Sequence, residues 1–191
     1  MSRGAAALLL VAAACHSGVS ATRTDLRAYL ARTRTWAPVE AETARTIDRI
    51  LQTQFVDEGE VLRQVAESRP RLLIHLQQLR AYVPRSKEVA HVHATYIAAW
   101  ERLLAGYDAI DEGFASGDYR KLARGREAME AWRQGVVSVA SELRDLMAHF
   151  GVDASGSVES RARPPAPQLS THRTKSSARP AAIAWYFSQK A

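Results

Sequence analysis

Between Val89 and Phe114 large apolar and aromatic residues recur by fours and threes: Val89, His93, Tyr96, Trp100, Leu103, Tyr107, Ile110 and Phe114. Such a seam stays on one side of an α-helix and would alternate faces in a strand, so the spacing predicts a buried heptad face. The following segment repeats it through Leu122, Gly125, Met129, Trp132, Val136, Val139, Leu143, Leu146 and Phe150, and Gly151 suits the C-terminal stop. Only Ser116-Gly117-Asp118 separates the two, and so short a break forces an antiparallel hairpin. Counting back from it puts Trp132 near Leu103 and Tyr107 near Met129. Gly125 falls near Ile110, where a missing side chain lets the backbones approach.

Two further helices precede this hairpin. One opens with Asp57 as a cap, Glu60 three residues on as in a capping box, and Val56 placed to staple onto Val61. It continues through Val65, Leu72, Leu76, Leu79 and Val83 and stops at Pro84, with Pro70 inside as a kink or a split. The first helix has a sparser pattern: Leu26, Leu30 and Trp36 in one part, Ile47, Ile50, Leu51 and Phe55 in another, with Pro38 as the bend. Four helices of about 27 to 33 residues are each about 40 to 50 Å long. Short connections make neighbours antiparallel, so the expected fold is all-α, an up-down-up-down four-helix bundle crossing at about 20°.

Ahead of the bundle, Arg3 precedes ten apolar residues, Ala5 to Ala14, which close on Cys15, the single cysteine. The run is short against the roughly 18 residues of a membrane-spanning helix, and it matches a secretory signal. Val11-Ala-Ala-Ala-Cys15 resembles the lipobox of bacterial lipoproteins, with Ala12 where leucine is common. That resemblance implies cleavage before Cys15, diacylation of its thiol and acylation of the new amino terminus. Two or more acyl chains hold a protein stably at a bilayer, since each buried methylene contributes about 0.8 kcal/mol. His16, in place of an aspartate after the cysteine, leans toward the outer membrane under the enterobacterial sorting rule. The competing reading is a cut after Ala21, since Val19-Ser20-Ala21 fits the small-x-small rule, giving a soluble periplasmic or secreted protein. Either way the mature fold has no disulfide and rests on its core.

The expected division is a signal peptide at 1–14, a lipidated start and spacer at 15–23, the bundle at 24–150 and a tail at 151–191. Pro164, Pro165, Pro167 and Pro180 among serine, threonine and arginine predict disorder in the tail. The tail carries six basic residues against Asp153 and Glu159, a net of +4. With Arg3 set aside, the formal +6 of the chain leaves about +1 for the helices, so the basic character belongs to the tail. Export and a near-neutral bundle disfavour nucleic acid, while the tail suits contact with anionic lipid or cell-wall polymer. Ala184-Trp185-Tyr186-Phe187 is an apolar patch near its end.

Phosphate loops, zinc-protease helices and nucleophile elbows are absent from the sequence, and no cofactor motif occurs. The histidines are the one constellation to weigh. His93 holds a seam position, and antiparallel counting across Pro84 to Ser86 brings His75 within about one turn of its level. His149 lies toward the same end. A metal or haem between the helices would use His75 and His93. Glu88 and His91 form half of a di-iron signature that needs a second copy and two more glutamates. His91 and His93 point to different faces, and a lone seam histidine is more often a hydrogen-bonded core residue. Tyr96, Trp100, Tyr107 and Trp132 could line an apolar ligand pocket or simply fill the core. Asp108, Asp111, Glu112 and Asp118 read as a solvated acidic face. The expected function is therefore non-catalytic: an envelope lipoprotein whose bundle binds or assembles with an unidentified envelope protein. The alternative is a carrier or sensor of a small ligand, metal or haem near His75 and His93.

Overall fold

The computed structural model describes residues 5–153, with side chains from residue 19 onward. Four helices, α1 (Ala5–Gln52), α2 (Glu58–Ala81), α3 (Lys87–Ser116) and α4 (Tyr119–Phe150), form the up-down-up-down bundle. Among the described residues there is no strand, and no helix is long and apolar enough to cross a membrane. Cys15 lies in the part of α1 whose side chains are outside the description, and the tail beyond residue 153 lies outside it altogether.

The α3–α4 hairpin follows the expected register. Gly117 turns the chain at φ 66°, and the Asp118 carboxylate accepts from the Arg120 N–H to cap α4. Small residues then bring the two backbones together. A Cβ on Gly125 would sit 2.5 Å from Ile110 Cγ1, and one on Gly135 2.8 Å from Ala99 Cβ. At Gly106 the added carbon would lie 2.6 Å from Ala128 Cβ and 3.2 Å from the Gly125 carbonyl. Gly106→Ala should therefore cost about 1 to 3 kcal/mol by overpacking. Adding Ala128→Gly should return most of that loss in denaturant unfolding, and equal losses in single and double variants would disprove the contact.

α1 is the longest helix and the least expected one. Its buried positions include Thr22, Tyr29, Trp36, Thr43 and Ile50, seven apart, interleaved with Leu26, Thr33, Glu40 and Ile47, also seven apart. That is a full heptad seam in which four of nine positions are polar. The Thr33 hydroxyl is satisfied within the helix, donating to the Leu30 carbonyl at 2.9 Å. Pro38 does not divide α1, nor Pro70 α2. Both prolines are exposed, so each ring sits on the outer side of its helix, away from the core. α1 ends at Gln52, before Phe55. Gln54 and Phe55 adopt positive φ of 51° and 62°, and the Phe55 ring still reaches Phe114 at 6.5 Å.

At the start of α2 the Asp57 carboxylate accepts from the Glu60 N–H at 3.0 Å. The reciprocal half of the capping box does not form, because the Glu60 carboxylate turns to Arg63 and Gln64. Val56 is 86% exposed, so there is no staple, and Val83, beyond the helix end, is 80% exposed instead of packed. The folded limits are also wider than 24–150. The stretch expected as a spacer is helical, Thr22 is buried, and Val152 is buried with its N–H on the Met147 carbonyl.

α1 ties the near end of the bundle together. One oxygen of the buried Asp25 accepts from the N–H groups of Arg85 and Ser86 and from the Ser86 hydroxyl, at 2.8 to 2.9 Å. Arg23 Nε donates to the Phe150 carbonyl at 2.8 Å, closing α4 onto α1.

Candidate functional site

The side chains with most chemical capacity meet in one layer across the four helices. α1 contributes Tyr29, Trp36 and Glu40, α2 His75, α3 His93, Tyr96 and Trp100, and α4 Trp132, all buried. These positions share a level because the seams of α1 and α3 run antiparallel to those of α2 and α4.

His93 is fully engaged. Its Nε2 lies 2.9 Å from the Leu79 carbonyl, which can only accept, so Nε2 carries the proton. Nδ1 then accepts from the Tyr29 hydroxyl at 3.1 Å. Trp36 stacks on the imidazole at 5.8 Å, with Tyr29 and Tyr82 edge-on at 5.4 and 5.5 Å. Burial lowers its pKa, against the pull of the backbone carbonyls, and holds the ring neutral. Both of its nitrogens are thereby unavailable to a metal.

His75 is different. It is 1% exposed, neither ring nitrogen has a hydrogen-bond partner, and burial pushes its pKa down to about 4. Its ring meets Trp100 at 4.3 Å edge to face, with Trp36 and Tyr96 at 6.3 and 6.5 Å. Aromatic faces, the neighbours a neutral imidazole tolerates, thus surround it. Among the described residues no three His, Cys, Asp or Glu side chains gather as a metal site requires. His91 and His149, the other two histidines weighed, are exposed.

Glu40 was not legible as a site residue. It is 6% exposed, and the Tyr96 hydroxyl donates to its Oε2 at 3.0 Å. Burial pushes its pKa up to about 7, outweighing the opposite effect of that hydrogen bond. The signal that could have found it is the heptad spacing from Leu26 through Thr33 to Glu40 and Ile47.

Of the four aromatic residues expected to line a pocket, Tyr96, Trp100 and Trp132 fill the layer themselves, with edge-to-face contacts at 6.1 and 5.2 Å. Tyr107 stands apart, two turns along α3. Its hydroxyl accepts from Ser68 at 3.1 Å, and the Arg69 guanidinium lies 6.0 Å over its ring. The same Arg69 bridges Asp108 and Asp111, while Lys121 pairs with Glu112 at 2.9 Å, so the acidic face is ion-paired as well as solvated.

Two grooves lie away from this layer. One of about 170 Å³ runs between α1 and α2 over Thr43, Thr46, Gln64 and Ser68, with the Glu42–Arg71 ion pair among its lining residues. The other, about 680 Å³, lies at the near end between Ser20, Thr24 and Ala28 of α1 and Tyr82, Val83 and Arg85 of the α2–α3 connection. Compared with models of known protein families, with curated proteins and with solved structures, the chain finds no match, so its reading rests on this geometry.

Proposed function

We propose that this is a bacterial envelope lipoprotein, held through Cys15 and favouring the outer membrane, whose helical bundle binds or assembles with another envelope protein and performs no catalysis. The observation that carries the binding role is how the interior polar groups are spent. His93, Tyr96 with Glu40, and Asp25 each serve an internal contact, which is the economy of a scaffold. Leu73 and Ile74, adjacent on the outer face of α2 and 47% and 57% exposed, offer the apolar surface such a scaffold presents.

The test has two arms. Cys15→Ser should move the protein from the membrane to the soluble envelope fraction, and intact mass of the native form should carry the lipid adduct. A mature chain beginning at Thr22 without lipid would sink the anchor. Crosslinking in intact envelopes should then yield a partner that Leu73→Glu with Ile74→Glu loses. An unchanged crosslinking pattern refutes this face as the binding surface.

One observation favours a carrier as the second reading: the unpartnered imidazole of His75 amid Trp36, Tyr96 and Trp100. Binding of zinc or haem there would quench the tryptophans, and His75→Phe would abolish the quenching.

A further inference from the structure

α1 is unbroken from Ala5 through the buried Asp25, so little chain separates Cys15 from the folded bundle. Five residues of helix, from Cys15 to Ser20, span about 7.5 Å at 1.5 Å per residue. At Ser20 the groove against Tyr82, Val83 and Arg85 has already begun. An acyl group on Cys15 therefore leaves the α2–α3 connection at the depth of the lipid headgroups, with no flexible spacer to lift it away.

The surface at this end suits that position. Val19 is 47% exposed and Val83 80%, two apolar side chains facing solvent at the near end. Arg85 and Lys87 flank them and are exposed. Of the nearby carboxylates, Asp25 is buried and committed to the backbone of residues 85 and 86, and Glu88 is half-buried against the Thr22 hydroxyl. The far end gathers Asp57, Glu58, Glu60, Glu112 and Asp118 around the α1–α2 and α3–α4 connections, among Arg63, Arg120 and Lys121, of which Arg63 and Lys121 are ion-paired to Glu60 and Glu112. Exposed apolar tips beside two exposed cations at the near end, against a carboxylate-rich far end, favour an upright bundle on an anionic bilayer. The described chain also finishes here, with Phe150 bound to Arg23, so the basic tail departs from the same end.

We infer that the near end of the bundle is a membrane-contact face, with Val19 and Val83 entering the headgroup region of an anionic bilayer and Arg85 and Lys87 meeting its phosphates. This rests on the acylation of Cys15 proposed above.

The test uses the lipidated full protein in vesicles of phosphatidylethanolamine and phosphatidylglycerol. Val83→Cys and Val56→Cys are a matched pair, since Val56 is 86% exposed at the far end. Each is labelled with an environment-sensitive fluorophore, and intact mass verifies the lipid on the same sample. The label at 83 should shift to the blue and be quenched by a headgroup-bound quencher, while the label at 56 should behave as in water. Arg85→Gln and Lys87→Gln should each weaken the phosphatidylglycerol-dependent part of the signal at 83 about fivefold. Lipid present with both labels in water would overturn the contact face and spare the anchor. No lipid adduct would overturn both.

Discussion

Replacing Glu40 by glutamine should stabilise the bundle by about 2 to 3 kcal/mol more at pH 8 than at pH 5. The folded protein holds the Glu40 proton up to about pH 7, whereas the unfolded chain releases it near 4.5. A raised carboxyl pKa means that the folded state binds the proton more tightly. Stability from this group is then complete below 4.5 and is lost as pH rises to about 7, where the buried carboxylate finally ionises. Glutamine keeps an oxygen to accept from the Tyr96 hydroxyl and has no proton to lose. The other titrating groups are the same in both proteins and cancel in the comparison. Urea unfolding of wild type and Glu40→Gln across this range is the measurement, and parallel stability curves would mean that water reaches Glu40 in the native state.

Why Glu40 escaped the sequence reading is a question of what a seam is made of. α3 and α4 were legible residue by residue because their heptad positions are leucine, valine, tryptophan and tyrosine, and the Gly125–Ile110 register followed from counting back across Gly117. α1 uses the same spacing but fills it in part with Thr22, Thr33, Glu40 and Thr43, so a search for apolar periodicity breaks it in two and assigns the break to Pro38. Polar groups can occupy a seam when their hydrogen bonds close locally, as Thr33 does on Leu30, or across one helix, as Glu40 does with Tyr96. The candidate site was half legible for the same reason. His75 and His93 lie in the same aromatic layer, as antiparallel counting required, both against Trp36. The groups that decide their chemistry, Tyr29 and Trp36, come from the helix whose pattern was obscured. The capping box failed on a finer scale. Glu60 can pair with Arg63 one turn along as readily as with its own N-cap, and spacing alone does not choose.

Trp100→Ala should be the most damaging single substitution in the bundle, costing about 3 to 5 kcal/mol at pH 8. The indole is completely buried and touches His75, Tyr96 and Trp132, so its loss removes contacts to both neighbouring helices, α2 and α4, and leaves a void in the central layer. The cost should depend on pH, because Trp100 is also the wall that keeps His75 dry. A histidine whose folded pKa falls to about 4 contributes stability that is present above the unfolded value of 6.5 and lost as pH falls toward 4. At pH 5 wild type has forfeited about 2 kcal/mol of stability by keeping that imidazole neutral. A void lined by two free imidazole nitrogens is polar enough to admit water, which lets His75 take its proton in the native state. The penalty of Trp100→Ala should therefore shrink by as much as about 2 kcal/mol between pH 8 and pH 5. Trp100→Phe keeps an aromatic wall against His75, so its smaller cost should be the same at both pH values. Urea unfolding of the three proteins at pH 5 and pH 8 separates the two effects. A Trp100→Ala penalty that does not change with pH would show that Trp36 and Tyr96 keep His75 dry without it.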